Sequence, residues 1–286
     1  VGAQSELGYY TPSQNGMLIY TSLVILLPSD QRTFEDVWDI VIYKSDVFFR
    51  NNHAVFQFTG GKIKIHRVNG EVLAMFRSPS GLLLQKDLFE LLVFRDGSFQ
   101  VFMKIPELLS AITGAMAWQG DTVILSTLKH GLFFLKDHNA GRWKTKYDQL
   151  LQENRIYSAT ILPNGHLALG TSLDGLMVID QHRRMFRHLT KQTGLQNNNI
   201  LQVYSDRAGN AWLGLDNGID FVDLDSPWSS IFPDGEMQAT GYSAAVFEKH
   251  LYLGVSNGAY VAPWQSYYDP EAGPVFQKIN DSDGQV

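Results

Sequence analysis

The chain has 286 residues and a formal charge of −6, from 23 Lys+Arg against 29 Asp+Glu. So mild an acidity leaves no basic footprint for nucleic acid, and the absence of cysteine excludes disulfides, thiolate chemistry and cysteine-ligated zinc. At 44% hydrophobic and 12% aromatic, with 25 glycines, the composition suits a turn-dense β protein with a large core.

In chain order, the start (Val1-Gly-Ala-Gln-Ser-Glu6) is small and polar, like the remnant of a cleaved signal peptide, and predicts a periplasmic, extracytoplasmic location. The longest apolar run, Met17 to Leu27, is too short to span a membrane and predicts a buried strand. Within it, Gly16–Ser22 reads as an outer strand that closes some other sheet. An alternating strand follows at Val37–Ile42, then two apolar strand pairs, Val47–Phe58 and Leu82–Phe94. Pro106–Ile112 and Lys146–Asn154 are the two helical candidates, each one or two turns long.

From there a unit recurs clearly: an apolar strand, a short polar turn, a small residue and a second apolar strand. The copies run Val123–Leu135, Leu167–Ile179, Ala211–Val222 and Leu251–Val261. With the two earlier pairs, the turn residues fall at Ala54, Glu90, Gly131, Gly175, Gly218 and Gly258, spaced by 36, 41, 44, 43 and 40. A period near 40 built from four short strands marks the blade of a β-propeller, and a glycine at the turn suits a hairpin with positive φ. The fold expected is therefore an all-β propeller over residues 1–286, with six visible blades. Gly284–Val286 takes the position of a first strand, which predicts that a seventh blade begins there and that the chain is part of a longer ectodomain. Exposed edge strands at such a cut invite pairing with a second copy, hence a homodimer.

Asn198-Asn199-Ile200, Asp206, Gly209-Asn210, Trp212, Gly214 and Gly218 follow the order of the "two-component regulator propeller" repeat. The unit ending at Gly175 shares Asn164-Gly165 and Leu169-Gly170-Thr171, so the resemblance is carried by roughly residues 155–262 and by period elsewhere. Ala54 and Glu90 depart from the pattern. The resemblance implies a periplasmic sensor propeller followed by a β-sandwich and by membrane-linked output domains, such as a histidine kinase or a DNA-binding domain. It also implies a link to polysaccharide use.

Motifs that carry chemistry fail on context. Gly254-Val-Ser256-Asn-Gly258 has the nucleophile-elbow spacing but is followed by a strand where a helix is required. Asn280–Gly284 has the flavour of a calcium loop without the ligand run or the closing glutamate, and reads as a turn. The eight histidines form no zinc motif, and Thr59-Gly-Gly-Lys62 lacks phosphate-loop spacing. No catalytic residue, metal or cofactor is expected.

Loops that join strands on a rigid frame are where binding concentrates. The middle-hairpin loops hold Asn51, Asn52 and His53; Lys129 and His130; Ser172 and Asp174; Asp216 and Asn217; and Ser256 and Asn257. This amide-rich set suits a hydroxyl-bearing ligand such as an oligosaccharide. Trp38 and Tyr242 fall on inward-facing strands from which an aromatic ring would stack on a sugar. The expected function is a non-catalytic ligand sensor. A propeller-fold polysaccharide lyase or glycosidase and a protein-interaction scaffold are the alternatives.

Overall fold

The computed structural model describes residues 1–226, 231, 233, 239–264 and 275–283. The chain divides into two compact units, 1–153 and 154–286. Among the described residues it forms seven antiparallel sheets. The first holds β1 (Gly2–Ala3), β2 (Glu6–Pro12) and β3 (Leu18–Ser22). Three blades complete the first unit. Blade 1 is β4 (Asp39–Tyr43), β5 (Asp46–Arg50), β6 (Ala54–Thr59) and β7 (Lys62–Arg67). Blade 2 is β8 (Val72–Ser78), β9 (Gly81–Lys86), β10 (Glu90–Arg95) and β11 (Ser98–Lys104). Blade 3 is β12 (Ile112–Ala117), β13 (Val123–Thr127), β14 (Gly131–Lys136) and β15 (Asn139–Arg142).

After a short helix, α1 (Asp148–Asn154), the second unit carries three more. Blade 4 is β16 (Ile156–Ile161), β17 (Leu167–Thr171), β18 (Leu176–Ile179) and β19 (Met185–Leu189). Blade 5 has three described strands, β20 (Ile200–Ser205), β21 (Ala211–Leu215) and β22 (Gly218–Val222). Blade 6 is β23 (Gly241–Phe247), β24 (His250–Val255), β25 (Gly258–Pro263) and β26 (Gln277–Lys278). In every blade the strands pair in chain order, as in a propeller. The turn residues read from the repeat sit at one place: Ala54, Glu90, Gly131, Gly218 and Gly258 each open a third strand, and Gly175 stands one residue before it.

The packing follows from strand alternation. Successive side chains on a strand point to opposite faces, so a sheet sandwiched between two others must be apolar on both. Phe49 on β5 joins Leu7, Leu23 and Leu27 of the N-terminal segment, while its neighbour Phe48 joins Val72, Met75, Leu82 and Leu84 of blade 2. One residue along β9, Leu83 turns the other way, into a core shared with Ile112, Leu125 and Phe133 of blade 3. The continuous run Leu82-Leu83-Leu84 is thus two alternating sets serving two cores, and all three residues are 0% exposed.

Buried polar side chains stitch the blades where a strand edge would otherwise leave backbone groups unpaired. Gln85, 0% exposed, accepts the Ile112 N–H at 2.8 Å and donates to the Ser110 carbonyl at 2.8 Å. Arg50 donates to Asp39 at 2.8 Å and to the Val72 carbonyl at 2.9 Å, and Asp39 in turn accepts the Met75 N–H at 2.9 Å. In the second unit Ser158 accepts the Val203 N–H at 3.1 Å.

Three sequence expectations are corrected. The Met17–Leu27 run is a strand only over Leu18–Ser22, and Met17, Leu18 and Ile19 are exposed. Leu23 and Leu27, at 4% and 2%, are the buried pair, because a 3-10 turn at Val24–Leu26 brings both to the same core. The supposed outer strand pairs instead with β2 in a sheet of its own, tied by Tyr20 and Ser22 hydroxyls donating to Glu6 at 2.8 and 2.7 Å. Pro106–Ile112 forms no helix, since Ile112 opens β12 with its N–H held by Gln85. Lys146–Asn154 does contain the helix α1. The seventh blade expected at Gly284–Val286 lies outside the described residues.

Replacing Gln85 by leucine keeps the volume and strands two buried backbone groups, so it is expected to cost about 2–4 kcal/mol, read as a lower urea midpoint. His66 is a second handle. Burial, with Lys64 adding to it, pushes its pKa down to about 4 from the ordinary 6.5. The ring rests edge-on against Phe94 and Phe99 and shares a 2.8 Å hydrogen bond with Gln57. The unfolded chain takes up a proton that the folded one refuses, so stability should fall as pH drops from 6.5 towards 4, by up to about 1.4 kcal/mol per pH unit. In His66→Phe that part of the slope should vanish in urea melts taken across the same range.

Candidate functional site

Each blade repeats one local construction at the hairpin between its second and third strands. The hairpin backbone is tied to the start of the same blade's first strand. In blade 2 the Asp87 N–H donates to Glu71 at 2.7 Å, and in blade 3 Leu128 to Ala111 at 2.9 Å. In blade 4 Ser172 donates to Asn154 and Arg155 at 3.1 and 3.0 Å; in blade 5 Asp216 to Asn199 at 3.4 Å; in blade 6 Ser256 to Thr240 at 2.9 Å. In blade 1 the donor is on the other side, Trp38 to Arg50 at 2.9 Å.

The hairpins reach this geometry by different chemistry. In blades 3 and 4 a buried threonine does it: Thr127 and Thr171 each donate to the carbonyl of the turn glycine and accept a turn N–H, all within 2.8–3.0 Å. Gly131 and Gly175 stand there at φ 74° and 69°, a region that side chains avoid. Blade 1 substitutes an Asn51 side chain that accepts the His53 and Ala54 N–H groups at 2.9 and 2.7 Å, which is why Ala54 is tolerated at a glycine position. At Glu90 of blade 2 the positive φ moves to Asp87, at 51°. Glu90 itself is held by Lys86 at 2.9 Å and Lys104 at 3.4 Å, and these lysines draw its pKa below the usual carboxylate value.

Directly beside the tied hairpin, the first strand carries a β-bulge. It falls after the first residue paired in blades 2, 3, 4, 5 and 6, at Leu73, Thr113, Tyr157, Leu201 and Tyr242. A bulge takes one residue out of the pairing and re-aims its side chain. Tyr157 and Leu201 are accordingly each 42% exposed, while the next residue in blade 4, Ser158, is 3% exposed; Tyr242 is 50% exposed on a strand exposed along its whole length. Trp38, immediately before β4, holds the same position in blade 1 and is 62% exposed. Trp38 and Tyr242 were legible as candidate aromatics; Tyr157 and Leu201 were not, because a bulge is a property of pairing and leaves no mark in a single strand.

In the first unit, His53 faces Glu35 at 3.5 Å and lines, with Asn51, Phe34, Arg67 and Asp30, an open cavity of about 300 Å³. Asn52 accepts from Arg50 at 3.3 Å, and its carbonyl accepts the Val72 N–H at 2.8 Å. The Lys129 N–H is held by Ser110 at 3.0 Å, and the His130 carbonyl by Arg142 at 3.0 Å. In the second unit, Asp174 meets His188 at 3.2 Å. Asn217 accepts from Asn197 at 3.0 Å, and Asn197 also accepts the Asn199 N–H at 3.0 Å. Asn199 Oδ1 is a buried acceptor with no hydrogen-bond partner among the described residues. Asn257 is exposed at its hairpin tip, within 3.4 Å of the Tyr260 hydroxyl. Ser256 accepts the Thr240 N–H at 3.0 Å in a plain hairpin, so the nucleophile-elbow spacing there is a turn. Among the described residues no three His, Asp or Glu side chains gather as a metal site, and no helix is long and apolar enough to cross a membrane.

No protein-family model and no curated protein sequence matches the chain. Solved structures do. A virginiamycin B lyase of Staphylococcus aureus, in an inactive form with quinupristin, superposes at TM-score 0.54 and 11% identity over 88% of this chain and 92% of its own. YCF48 bound to a D1 peptide matches at TM-score 0.57 and 10% identity, over 94% and 88%. The extracellular domain of a hybrid two-component system, BT4673 of B. thetaiotaomicron, aligns with 98% of this chain at TM-score 0.45 and 13% identity. The chain covers 46% of that ectodomain's length, about half. At these identities the likeness establishes the fold alone: the β-propeller expected from the repeat is the fold found. An enzyme and a peptide-bound protein stand among the matches, so the fold does not choose the function.

The bulge separates exposure from stability, and that can be measured. Tyr157→Ala should leave the melting temperature within about 1–2 °C, as for a surface substitution. Ser158→Ala, one residue on, strands the Val203 N–H and should cost about 1–3 kcal/mol, seen in parallel thermal melts.

Proposed function

We propose that this chain is the ligand-sensing propeller of an extracytoplasmic receptor of the two-component type, that it binds a carbohydrate, and that it does so without turnover. The observation that carries the proposal is the repeated pairing of a polar hairpin with an exposed side chain at the adjoining bulge. Ser172 and Asp174 accompany Tyr157, Asp216 and Asn217 accompany Leu201, and Asn257 accompanies Tyr242. Amide, hydroxyl and carboxylate groups offer directional hydrogen bonds to ring hydroxyls, and an aromatic face stacks on the apolar face of a sugar. The resemblance of residues 155–262 to the regulator propeller repeat supports the signalling role and the periplasmic setting. It also supports a downstream β-sandwich with membrane-linked output domains as partners, in a homodimeric receptor.

A sensor without turnover is supported by the state of the acids. Among the described residues, each carboxylate whose pKa departs from its ordinary value is lowered, whereas a glycosidase acid has to be raised. At Asp206 the Asn210 side chain leads, with the Asn210 N–H, Trp212 and the Ala208 N–H adding to it. At Asp180 burial pushes upward, but Arg184 and the His182 N–H outweigh it. Glu6 behaves likewise, with Ser22, Tyr20 and the Leu7 N–H prevailing over burial. These groups are spent on turns and strand ties.

The test is a thermal-shift panel of neutral and acidic oligosaccharides, with product analysis of any hit. At about 100-fold over Kd a specific ligand adds roughly 2.7 kcal/mol, a shift of several degrees. Tyr157→Ala and Asn217→Ala should each weaken a hit about tenfold or more. Cleavage of the oligosaccharide would overturn the non-catalytic role, and a flat panel would overturn the carbohydrate assignment.

A further inference from the structure

Two segments of opposite character line the cavity of about 300 Å³ in the first unit. The segment that leads into β4 brings two carboxylates, Asp30 and Glu35. Blade 1 brings donors: the Asn51 amide and His53 from its middle hairpin, and Arg67, which strand pairing sets opposite Ala54. The apolar part of the lining includes Phe34 and Phe56, whose rings meet at 4.8 Å. Acceptors thus come from one segment and donors from the other. Among the described residues the only ion pair linking the two sets is Glu35 with His53, at 3.5 Å, and neither Asp30 nor Arg67 makes one.

Asn51 shows that the cavity is built to receive something. Its Oδ1 is spent on the turn, where it accepts the His53 and Ala54 N–H groups. Its Nδ2 makes no hydrogen bond among the described residues, although the side chain is 4% exposed and lines the cavity. Buried amides ordinarily find partners for their hydrogens. The turn does not call for an amide either. Thr127 and Thr171 close the corresponding hairpins of blades 3 and 4 with one hydroxyl that both donates and accepts inside the turn. Blade 1 therefore brings two N–H donors to the cavity that its hairpin leaves unused.

Both sides are set in advance, as a binding site requires. The acidic segment is pinned at Phe34, whose carbonyl accepts the Ser5 N–H at 3.1 Å and the Ser5 hydroxyl at 2.8 Å. The Phe34 N–H returns a bond to that hydroxyl at 3.1 Å. Nearby, Arg32 donates to the carbonyls of Leu27 and Ile25 at 3.0 and 3.1 Å. On the blade side, the His53 carbonyl accepts the Val68 N–H at 3.2 Å.

We propose that this cavity is a second binding site and that its ligand is a free α-amino acid with an apolar side chain. The ligand carboxylate takes the Asn51 amide and the Arg67 guanidinium, whose planar fork suits a carboxylate. The ammonium takes Asp30 and Glu35, and the side chain rests on Phe34 and Phe56. A cavity of about 300 Å³ stands at the small end of the roughly 300–1,000 Å³ of ligand sites, which fits so small a molecule. A neutral sugar would leave both sets of charges unanswered, and a simple acid or amine would answer only one. All of these residues belong to the first unit, and none of them carries the carbohydrate proposal.

The test is isothermal titration of the whole chain with L-leucine, L-phenylalanine, N-acetyl-L-leucine and L-leucinamide. At least one of the two amino acids should bind. The acetylated form lacks the cation and the amide lacks the anion, so each should bind about tenfold or more weakly than leucine. Arg67→Gln alters an exposed side chain and should weaken the amino acid to a similar degree with an unchanged melting temperature. Asn51→Asp keeps the acceptor that the turn needs and removes both donors, so it too should weaken binding; if it melts early, Arg67→Gln decides. Tyr157→Ala, in the second unit, should bind as the unaltered chain does. No heat from either amino acid at millimolar concentration would overturn the proposal. So would a derivative that binds as well as leucine, full affinity in Arg67→Gln, or loss of binding in Tyr157→Ala.

Discussion

A β-sheet with two apolar faces has no stable solution by itself, and the rest of this structure depends on that constraint. Phe48 and Phe49, adjacent on one strand, serve different cores, as do Leu83 and its neighbours Leu82 and Leu84. Stability therefore accumulates sheet by sheet, the gaps between blades 1 and 2, 2 and 3, and 4 and 5 being filled from both sides. Serial packing of this kind leaves strand starts inside a dry seam, where an unpaired N–H is costly. Gln85, Asp39 and Ser158 each accept a backbone N–H of the following blade's first strand, and in doing so fix the spacing of neighbouring sheets.

The same seam organises the candidate site. The hairpin that begins each third strand is tied by backbone hydrogen bonds to the start of the first. Polar tips and first-strand side chains are therefore held at a set separation by the fold itself. Blades differ in how they make the turn, by threonine, by an asparagine side chain or by a displaced positive φ, and the tie persists through these differences. Binding chemistry can thus vary on a frame that does not.

Much of this was legible in the sequence because the turn chemistry is local. The six turn residues mark the third strands to within one residue, and the polar hairpin tips could be named from them. What was not legible depends on pairing. Tyr157 and Leu201 are surface residues only because a bulge lifts them from the alternation, and the adjacent Ser158 shows how deeply an unlifted residue lies. Met17–Leu27 read as a buried strand because hydrophobicity was taken to imply depth. In the fold, the register of a separate sheet leaves Met17 to Ile19 at the surface and a 3-10 turn buries Leu23 and Leu27 instead. Pro106–Ile112 lost its helical prospects to Gln85, a partner 25 residues before Ser110 and 27 before Ile112 that no local pattern announces.

The bulged position has a consequence for how such a protein diversifies. A residue inside a pleated strand is answerable to two neighbours across the sheet and to a packed layer beneath it, so its identity is tightly constrained. Tyr157, Leu201, Tyr242 and the similarly placed Trp38 are released from those obligations while standing beside the backbone tie between hairpin and first strand. A tryptophan, two leucines, a threonine and two tyrosines already occupy that position within one chain. Single substitutions there can redraw a recognition surface without disturbing the cores, so a lineage of such propellers is free to change what it detects much faster than it changes its shape.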